Sequence, residues 1–350
     1  MSVSRAQFTT PPGLRVVAIG GGTGLSTLLR GLKHRVPHGG GLLEVPAHAP
    51  LIADLTAVVT VTDDGGSSGR LRRDFNMLPP GDLRNCMVAL SEDEGLLAQL
   101  FRHRFGSGGE LVGHNFGNLF IAALTEMTGD FALAIKLSAE ILATRGHILP
   151  ATQRDVTLAA RMEDGSVVRG ETKITASRQR IVELTLEPPD PPPPQETLEA
   201  IARADLITMG PGSLYTSIVT NLLVKGIPEA LGSARGTRVF VCNLMTQANE
   251  SLHLTASQHI ERIYEHAGRP IFDYALVNTA PISETLRERY AAEGAEATIA
   301  DVECIEAMGI RCVAGDFVEE GDVVRHATDR VTQALLELPV RVGATAPARS

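Results

Sequence analysis

Short apolar runs, each followed by a glycine-rich segment and then a helical pattern, recur towards both ends of the chain. Residues 14–19 are rich in β-branched side chains and end abruptly at Gly20. The leucines that follow recur at the spacing of one helical face: Leu25, Leu28, Leu29 and Leu32. Residues 55–61 predict a second strand, and its apolar residues do not alternate with charged ones, which is typical of a buried strand in a parallel sheet.

The middle of the chain changes character twice. Residues 82–143 are predicted to be mainly helical, with breaks at Gly95, 106–109 and Gly129. Three apolar runs then predict a small β-meander with a hairpin turn at Asp164-Gly165 (residues 152–162, 166–174 and 180–186). The proline run 188–194 is expected to be an extended connector.

The alternation of strands and helices returns after the proline run. Strands are predicted at 206–209, 238–242, 274–277, 311–313 and 322–325, and helices at 214–223, 255–266, 283–292 and 328–338. We therefore expect an α/β protein with a Rossmann-like, mainly parallel sheet, a helical segment and a small β insert.

The same pattern predicts one domain over residues 14–340, with a loop insertion at 36–50. Its expected parts are a first α/β and helical part (14–149), the β insert (150–187) and a second α/β part (195–340). Residues 1–13 are expected to be a disordered tail and residues 341–350 a flexible one.

Composition excludes several classes of protein. The net charge of −9, from 32 basic and 41 acidic residues, argues against a general nucleic-acid binder. The four cysteines show no spacing that suits zinc. No window offers the ~18 uninterrupted apolar residues of a membrane span, and the polar N-terminus lacks the apolar core of a signal peptide. We therefore expect a cytoplasmic protein without membrane insertion.

The first glycine turn is a candidate phosphate site. Gly21, Gly22, Thr23 and Gly24 lie between a predicted strand and a predicted helix, where backbone N–H groups gather at the positive end of the helix. Leu25 occupies the place of the third glycine of the dinucleotide fingerprint, and no Gly-Lys-Ser/Thr of a P-loop follows. The alternative is a turn that only lets the helix pack closely.

The second turn repeats this arrangement. Gly210, Pro211, Gly212 and Ser213 follow the strand at 206–209, and Ser213 is placed to cap the next helix. Gly-Pro-Gly also occurs in ordinary turns, so this alternative stays open as well. In open parallel sheets, ligands bind beyond the carboxyl ends of the strands, where both turns are expected.

Two adjacent carboxylates follow the second predicted strand. Asp63 and Asp64 could hold ribose hydroxyls or a divalent metal that bridges to phosphate, or they could be solvated acids of an Asp-Gly turn. Gly65, Ser67 and Ser68 after them form an anion-friendly segment. The arginines behind it are either surface charges or partners of Asp74 and Asp82: Arg70, Arg72 and Arg73.

A polar segment also opens the apolar helix after residue 114. Asn115 is a natural N-cap, and Asn118 lies in the first turn, where its amide could reach a ligand. His114 is expected to be structural, because no serine or cysteine partner is visible at a useful spacing.

Taken together, these segments resemble a known family. The motifs at 20–25, 62–70, 80–84, 113–119 and 209–217 are similar, in this order, to those of the YvcK-type gluconeogenesis factors, also called GlmR, of the CofD-like superfamily, which includes 2-phospho-lactate transferase. The resemblance covers nearly the whole chain. It implies a Rossmann-like fold that binds UDP-sugars such as UDP-N-acetylglucosamine or UDP-glucose, and a regulatory role that links carbon metabolism to cell-wall precursor supply and cell shape.

The resemblance also assigns residues near the C-terminus. By their pattern alone, Tyr290 and Arg325 would be packing residues at the ends of a helix and a strand; the resemblance implies that both contact the UDP-sugar. Asn243, directly after the strand at 238–242, belongs to the same predicted ligand-binding set.

The sequence offers two other functions as alternatives. A CofD-like phosphotransferase would use Asp63 or Asp64 to bind a divalent metal such as Mg²⁺. A nicotinamide-dependent oxidoreductase is disfavoured by Leu25 and by the lack of an evident acid–base pair. The expected partners are a UDP-sugar and a regulatory protein of cell-wall precursor synthesis, and a homo-oligomer is compatible with the sequence.

Overall fold

Seven parallel strands form the central sheet of the computed structural model, which describes residues 13–37, 52–92, 95–177 and 179–340. The predicted tails and most of the 36–50 insertion lie outside these residues. In the described part the strands are β1 (Leu14–Gly20), β2 (Ile52–Val59), β3 (His147–Pro150), β4 (Thr157–Met162), β5 (Val167–Arg169), β6 (Ile181–Glu187), β7 (Leu206–Met209), β8 (Thr237–Val241), β9 (Tyr274–Asn278), β10 (Arg311–Gly315), β11 (Val318–Glu320) and β12 (Val324–His326).

Helices cover both faces of this sheet. They are α1 (Gly22–Lys33), α2 (Gly66–Phe75), α3 (Gly81–Leu90), α4 (Leu96–Arg102), α5 (Phe116–Thr128), α6 (Phe131–Ile141), α7 (Glu171–Ala176), α8 (Gln195–Arg203), α9 (Thr220–Leu222), α10 (Ile227–Ser233), α11 (Ala256–Ala267), α12 (Glu284–Ala292), α13 (Val302–Ala307) and α14 (Thr328–Leu336). The predicted α/β class and mainly parallel sheet are thereby confirmed. No helix in the described ranges has the length and apolar content needed to cross a membrane.

The order of the strands determines where a ligand can bind. The sheet runs β10-β9-β8-β7-β1-β2-β3, so β1 pairs with β7, which lies almost 200 residues later in the chain. The chain winds outward in one direction from β1 to β3 and in the other from β7 to β10. The reversal between β1 and β7 is a topological switch point, and the segments that leave the two strands on opposite sides open a crevice there.

Each face of the sheet has its own core. Leucines of α1 and α3 pack on one face with residues such as Leu55 and Val239, and the other face buries residues such as Ile19, Ile218 and Phe240. A third, much smaller cluster lies apart from both and consists of Leu244, Ile282, Leu286 and Val318. It supports α12 and the two-stranded ribbon β11–β12.

The β insert differs from the predicted meander. The order is β5-β4-β6, so β4 is the central strand and pairs with both others. Residues 171–174, predicted as strand, begin helix α7. Gly170 has a φ of +95°, which ends β5, and the Asp64 carboxylate accepts the Thr172 N–H at the start of α7. Asp64 and Thr172 are 108 positions apart in the chain, so the local sequence pattern does not show this contact.

The predicted helix at 214–223 is also modified. Residues Leu214–Val219 form a π-helical turn that continues into α9, and the Thr220 hydroxyl donates to the Tyr215 carbonyl oxygen at 2.9 Å. Near the C-terminus the predicted strand at 322–325 is shifted to β12, and its partner β11 was not predicted. Both strands are short and half exposed, so they carry little apolar signal.

Candidate functional site

The carboxyl ends of β1 and β7 open onto a cleft of about 390 Å³. The first glycine turn lines one side of it and the second turn lines the adjoining side. The predicted residues that line it are Gly21, Gly22, Thr23, Gly24, Pro211, Gly212, Ser213, Asn243, Tyr290 and Arg325. Residues from three distant parts of the chain, predicted as one ligand-binding set, thus lie around one cavity.

The N-terminus of α1 is bonded on one side only, where the Asp82 carboxylate accepts the Gly22 N–H from behind the turn. Gly21 precedes the helix in extended conformation, and Gly22 begins it with a φ of +61°, which favours glycine. No side chain of the capping residue bonds the first N–H groups, and no acidic residue lies in the first turn. The N–H groups of Thr23 and Gly24 therefore lack partners within the helix, as expected for an anion site.

The two turns touch each other at Gly24. A Cβ atom on Gly24 would collide with the Pro211 carbonyl group and stand 3.0 Å from the Gly212 nitrogen. Only glycine allows this approach of two backbones, and the approach sets the width of the cleft. The alternative, in which the first turn only packs a helix, therefore explains part of the glycine content but not the shared cavity.

Asn243 braces the second turn from the end of β8. Its Oδ1 atom accepts the Gly212 N–H at 3.0 Å, and its Nδ2 group donates to the Gly212 carbonyl oxygen at 2.7 Å. Gly210 lies behind the cleft with a φ of +84°, and a Cβ there would stand 2.7 Å from the Val241 carbonyl oxygen. Gly210 therefore shapes the turn without lining the cavity.

The helical N-terminus after the second turn is already occupied. The buried Glu250 carboxylate accepts the N–H groups of Tyr215 and Thr216 at 2.9 and 3.2 Å and the Thr216 hydroxyl at 2.9 Å. Burial raises the pKa of Glu250, while these three donors oppose that rise. The second turn thus contributes shape and its own backbone atoms, whereas the positive helix end available to a ligand belongs to α1.

The expected capping role of Ser213 is wrong. Ser213 stands at the N-cap position, but its side chain makes no capping hydrogen bond. Its hydroxyl oxygen instead accepts the Gln247 Nε2 group at 2.9 Å. Glu250 takes the capping role because its carboxylate reaches the helix from a distant segment.

The far wall of the cleft consists of α12 and the ribbon β11–β12. The Tyr290 hydroxyl accepts the Val324 N–H at 3.1 Å, which ties α12 to the ribbon next to Arg325. The Arg325 side chain is exposed, and within the described ranges no hydrogen bond or ion pair engages its guanidinium. His326 also lines the cleft, and its Nε2–H donates to the Cys242 carbonyl oxygen at 3.0 Å.

Among the described residues, the side chains that line this cleft carry formal charge of one sign only. Desolvation lowers the pKa of His326 to about 4, so its ring is neutral at pH 7. The lining residues, as far as the structure describes the chain, include no aspartate, glutamate or lysine. Arg325 is therefore the formal charge of the cleft, in a protein whose net charge is −9.

Several lining residues were missed by the sequence analysis: Thr27, Ser217, Leu244, Met245, Thr246, Gln247, Val324 and His326. Residues 244–247 follow β8 directly. The rule that ligands lie beyond the carboxyl ends of parallel strands would have pointed to them. Thr27 lies one turn beyond Thr23 on α1, where helical spacing predicts neighbouring side chains. Val324 and His326 carried no such signal.

A second group of predicted residues does not line the cleft. Asp63, Asp64, Gly65, Ser67, Ser68 and Asn118 lie together beyond the end of β2, on the other side of the first turn. The Asp63 Oδ1 atom accepts the Gly65 N–H at 2.9 Å. The Asp64 Oδ1 atom accepts the Thr172 N–H and hydroxyl at 2.8 and 2.7 Å, so this carboxylate is directed at α7.

This separation bears on the metal hypothesis. Asp63 and Asp64 do not converge on a common point, because each is bound to a different backbone segment. No group of three or more His, Cys, Asp or Glu side chains in the described residues is arranged to hold a metal ion. Asp63 and Asp64 therefore do not form the paired-carboxylate metal site that the sequence analysis offered as an alternative.

The serines beyond β2 belong to a buried polar network. A hydrogen bond of 3.2 Å joins Ser67 Oγ and His114 Nδ1, which corrects the expectation that His114 has no serine partner. Asn115 accepts the Asn118 N–H at 3.1 Å, so its predicted N-cap role is confirmed. Asn118 is 1% exposed, and its Nδ2 group lies 3.4 Å from Ser68 Oγ. Its amide therefore faces this network rather than the cleft.

Two of the three arginines after residue 69, Arg70 and Arg72, have partners other than Asp74 and Asp82. Arg70 donates to the Val112 carbonyl oxygen at 2.9 Å. Arg72 donates to the Val156 carbonyl oxygen at 2.6 Å and forms an ion pair with Asp155 at 2.5 Å. Arg72 thus joins α2 to the segment before β4 instead of pairing with Asp74 or Asp82.

Asp82 connects the polar network to the first glycine turn. A Cβ on Gly21 would stand 2.9 Å from Asp82 Oδ2, so this carboxyl lies behind the turn. Desolvation, followed by the charge of Asp63, raises its pKa from 3.8 to about 6. The carboxyl of Glu171, which accepts the Thr62 hydroxyl at 2.9 Å, has a raised pKa for the same two reasons, desolvation and neighbouring acids.

The raised pKa of Asp82 predicts a pH dependence of stability. Since the folded state holds this proton more tightly than the unfolded chain, ionisation of Asp82 costs stability as the pH rises from about 4 to above 6, by up to about 3 kcal/mol. We expect the free energy of unfolding to fall between about pH 4 and pH 6.5 and to level off above, and to fall less in Asp82→Asn. Urea denaturation at several pH values measures both slopes. The charge of Asp82 also raises the pKa of Glu171, so the smaller slope of Asp82→Asn includes the loss of that interaction. Parallel slopes would show that Asp82 does not carry this effect.

Fold and cleft together define a doubly wound α/β protein whose ligand cleft lies at the switch point of the sheet. A family model described as 2-phospho-L-lactate transferase CofD matches residues 16–318. The chain belongs to the CofD family, as the resemblance of its motifs implied.

Relatives and solved structures agree with this family. The gluconeogenesis factor of Halalkalibacterium halodurans is 47% identical over 323 residues, covering 92% of this chain and 95% of that protein. The gluconeogenesis factor of Bacillus subtilis is 44% identical over 325 residues, covering 93% and 98%. An X-ray crystal structure of a Bacillus halodurans protein superposes with a TM-score of 0.86 at 47% identity, covering 93% of this chain and 100% of that one.

Proposed function

We propose that this protein binds a UDP-sugar, UDP-N-acetylglucosamine or UDP-glucose, in the cleft between the two glycine turns. The observation that carries the proposal is the pair of groups that line the cleft: the N–H groups of Thr23 and Gly24, without partners in the helix, on one side, and on the other the Arg325 guanidinium, which has no partner among the described residues. A pyrophosphate carries two negative charges and matches both groups. The volume of about 390 Å³ lies in the range of small-molecule sites.

The lining residues suggest an orientation for this ligand. The pyrophosphate would accept the N–H groups of Thr23 and Gly24, with Arg325 facing it from the ribbon. Tyr290 and Met245 offer flat or polarisable apolar surface for a base. The Ser213 hydroxyl and the Gln247 amide, which bond each other at 2.9 Å, are suited to ribose or sugar hydroxyls.

Nicotinamide dinucleotides fit less well. Dinucleotide folds use a carboxylate at the end of the second strand to hold the adenosine ribose. Here Asp63 and Asp64 follow β2 but lie outside the cleft, each bound to another segment. Leu25 in place of the third glycine adds to this argument.

The phosphotransferase alternative takes its support from the description of the family model. Its weakness is the metal. Asp63 and Asp64 do not converge, and the described residues hold no group of three or more His, Cys, Asp or Glu side chains arranged for a metal ion. A sensor that binds the sugar nucleotide without converting it needs no such group, and we therefore prefer it.

The biological role that we propose is regulatory. The similar proteins of Halalkalibacterium halodurans and Bacillus subtilis are named gluconeogenesis factors, and we extend a role in gluconeogenic growth to this chain on that basis. A link to cell-wall precursor synthesis and cell shape, through a protein partner in the cytoplasm, rests on the family resemblance of the motifs.

Calorimetric titration tests the proposal. UDP-N-acetylglucosamine and UDP-glucose should bind at micromolar concentration, with or without Mg²⁺, and remain chemically intact after long incubation. NAD and GDP should bind much more weakly. Absence of UDP-sugar binding at millimolar concentration would refute the proposal, whereas Mg²⁺-dependent release of a nucleoside monophosphate would favour the transferase.

A further inference from the structure

The ribbon that carries Arg325 is not part of the central sheet. Strands β11 and β12 pair with each other, and the ribbon packs on the small cluster of Leu244, Ile282, Leu286 and Val318. The hydrogen bonds of the seven-stranded sheet position the two glycine turns, but they do not position Arg325. Other contacts must set the distance from Arg325 to the two turns.

One such contact comes from the residue next to Arg325. The His326 Nε2–H donates to the Cys242 carbonyl oxygen at 3.0 Å, where the chain leaves β8. The following residue is Asn243, whose amide bonds both backbone groups of Gly212. Two consecutive residues, Cys242 and Asn243, thus hold the ribbon on one side and the second glycine turn on the other.

We propose that His326 is a positioning residue for the ligand site: its bond to Cys242 holds Arg325 at the distance from the Gly212 turn that a bridging pyrophosphate needs. The inference rests on the proposed function and explains how the Arg325 guanidinium is placed in the cleft. The Arg325 side chain has no hydrogen-bond partner among the described residues. Its place in the cleft therefore depends on its backbone, which is held by the pairing with β11 and by the contacts of the two neighbouring residues. The Tyr290 hydroxyl secures the other neighbour, Val324.

The chemistry of His326 suits this task. Its ring lies where desolvation keeps it neutral at pH 7, so it supplies one N–H donor without adding charge beside Arg325. Because the donor is neutral, the hydrogen bond between His326 and the Cys242 carbonyl oxygen can stay in place when an anionic ligand binds. Arg325 is then held near its binding position in advance, which lowers the ordering cost of binding.

A double-mutant cycle tests the inference. His326→Ala should weaken UDP-N-acetylglucosamine binding about 5- to 20-fold, the effect of one hydrogen bond and some lost order. His326→Gln, whose side-chain amide can donate to the same carbonyl, should stay within about 3-fold of wild type. In an Arg325→Ala background, His326→Ala should change the affinity less than about 2-fold, because its effect passes through the arginine. His147→Ala, which removes an exposed histidine outside the cleft, is the matched control.

A second readout does not depend on any ligand. In the free protein, hydrogen exchange of the backbone amides at 318–326 should speed up in His326→Ala and return towards wild type in His326→Gln. Unchanged exchange in His326→Ala would overturn the inference even if UDP-sugars bind. Equal losses of affinity in both backgrounds would also overturn it, because His326 would then act independently of Arg325. Failure of the wild type to bind any UDP-sugar, with the exchange result as expected, would instead reject the proposed ligand.

Discussion

Replacing Arg325 with alanine is expected to weaken UDP-N-acetylglucosamine binding about 10- to 150-fold without a measurable change in melting temperature. A hydrogen bond between a charged donor and a phosphate contributes about 1.5–3 kcal/mol, which corresponds to that range. The side chain is exposed and has no partner in the described part of the chain, so its removal leaves no buried group unsatisfied. Calorimetry and thermal unfolding of the same preparations measure both quantities.

Two further variants sharpen this test. Arg325→Lys keeps the charge but loses the planar fork, and should recover only part of the affinity. Arg287→Ala removes an exposed arginine from α12, the helix that carries Tyr290, without touching the cleft, and should bind like wild type. Wild-type affinity in Arg325→Ala would remove the central charge from the proposed site. Equal losses in Arg287→Ala would indicate a general electrostatic effect instead.

Gly24→Ala is expected to abolish binding and to lower the free energy of unfolding. The added Cβ would meet the Pro211 carbonyl group and the Gly212 nitrogen, which are backbone atoms and cannot rotate away. The two turns must separate, which costs about 1–3 kcal/mol by analogy with overpacked cores. The separation also displaces the Gly24 N–H from the position that a phosphate would use. Urea denaturation and calorimetry measure the two effects.

The control for this substitution is Gly106→Ala, since a Cβ there has no atom within 4 Å. It should leave both affinity and stability close to those of wild type. If Gly24→Ala retained full affinity, the contact between the two turns would not set the geometry of the site. A loss of stability with unchanged affinity would lead to the same conclusion.

Local sequence predicted the elements of the fold well where the pattern was strong. The strand at 206–209 was predicted with its observed bounds, because a short apolar run lies there between Asp205 and Gly210. The β insert was predicted less well. Residues 171–174 look like a continuation of a strand, yet they form a helix that the Asp64 carboxylate helps to start from far away in sequence.

The predicted ligand-binding residues come from several segments, and the structure places some of them in the cleft and others outside it. Both glycine turns follow strands directly, so spacing alone located them. Asp63 and Ser67 follow β2, which lies one strand away from the switch point, and Asn118 lies in the first turn of α5; all three lie outside the cleft. Tyr290 and Arg325 lack a local pattern of their own. Only the family resemblance singled them out, and His326 was not singled out at all.

The sequence by itself determined the strand–turn–helix units, because glycine freedom and apolar spacing act over a few residues. It also predicted both glycine turns as anion sites, because each turn precedes the positive end of a helix. Only the tertiary structure decided that β1 pairs with β7, and therefore that these two turns lie side by side in the wall of one cleft. It also decided that Glu250 occupies one helix end and that the ribbon brings Arg325 to the other. Contacts between residues so far apart depend on how the two halves of the sheet pack, which local spacing does not encode.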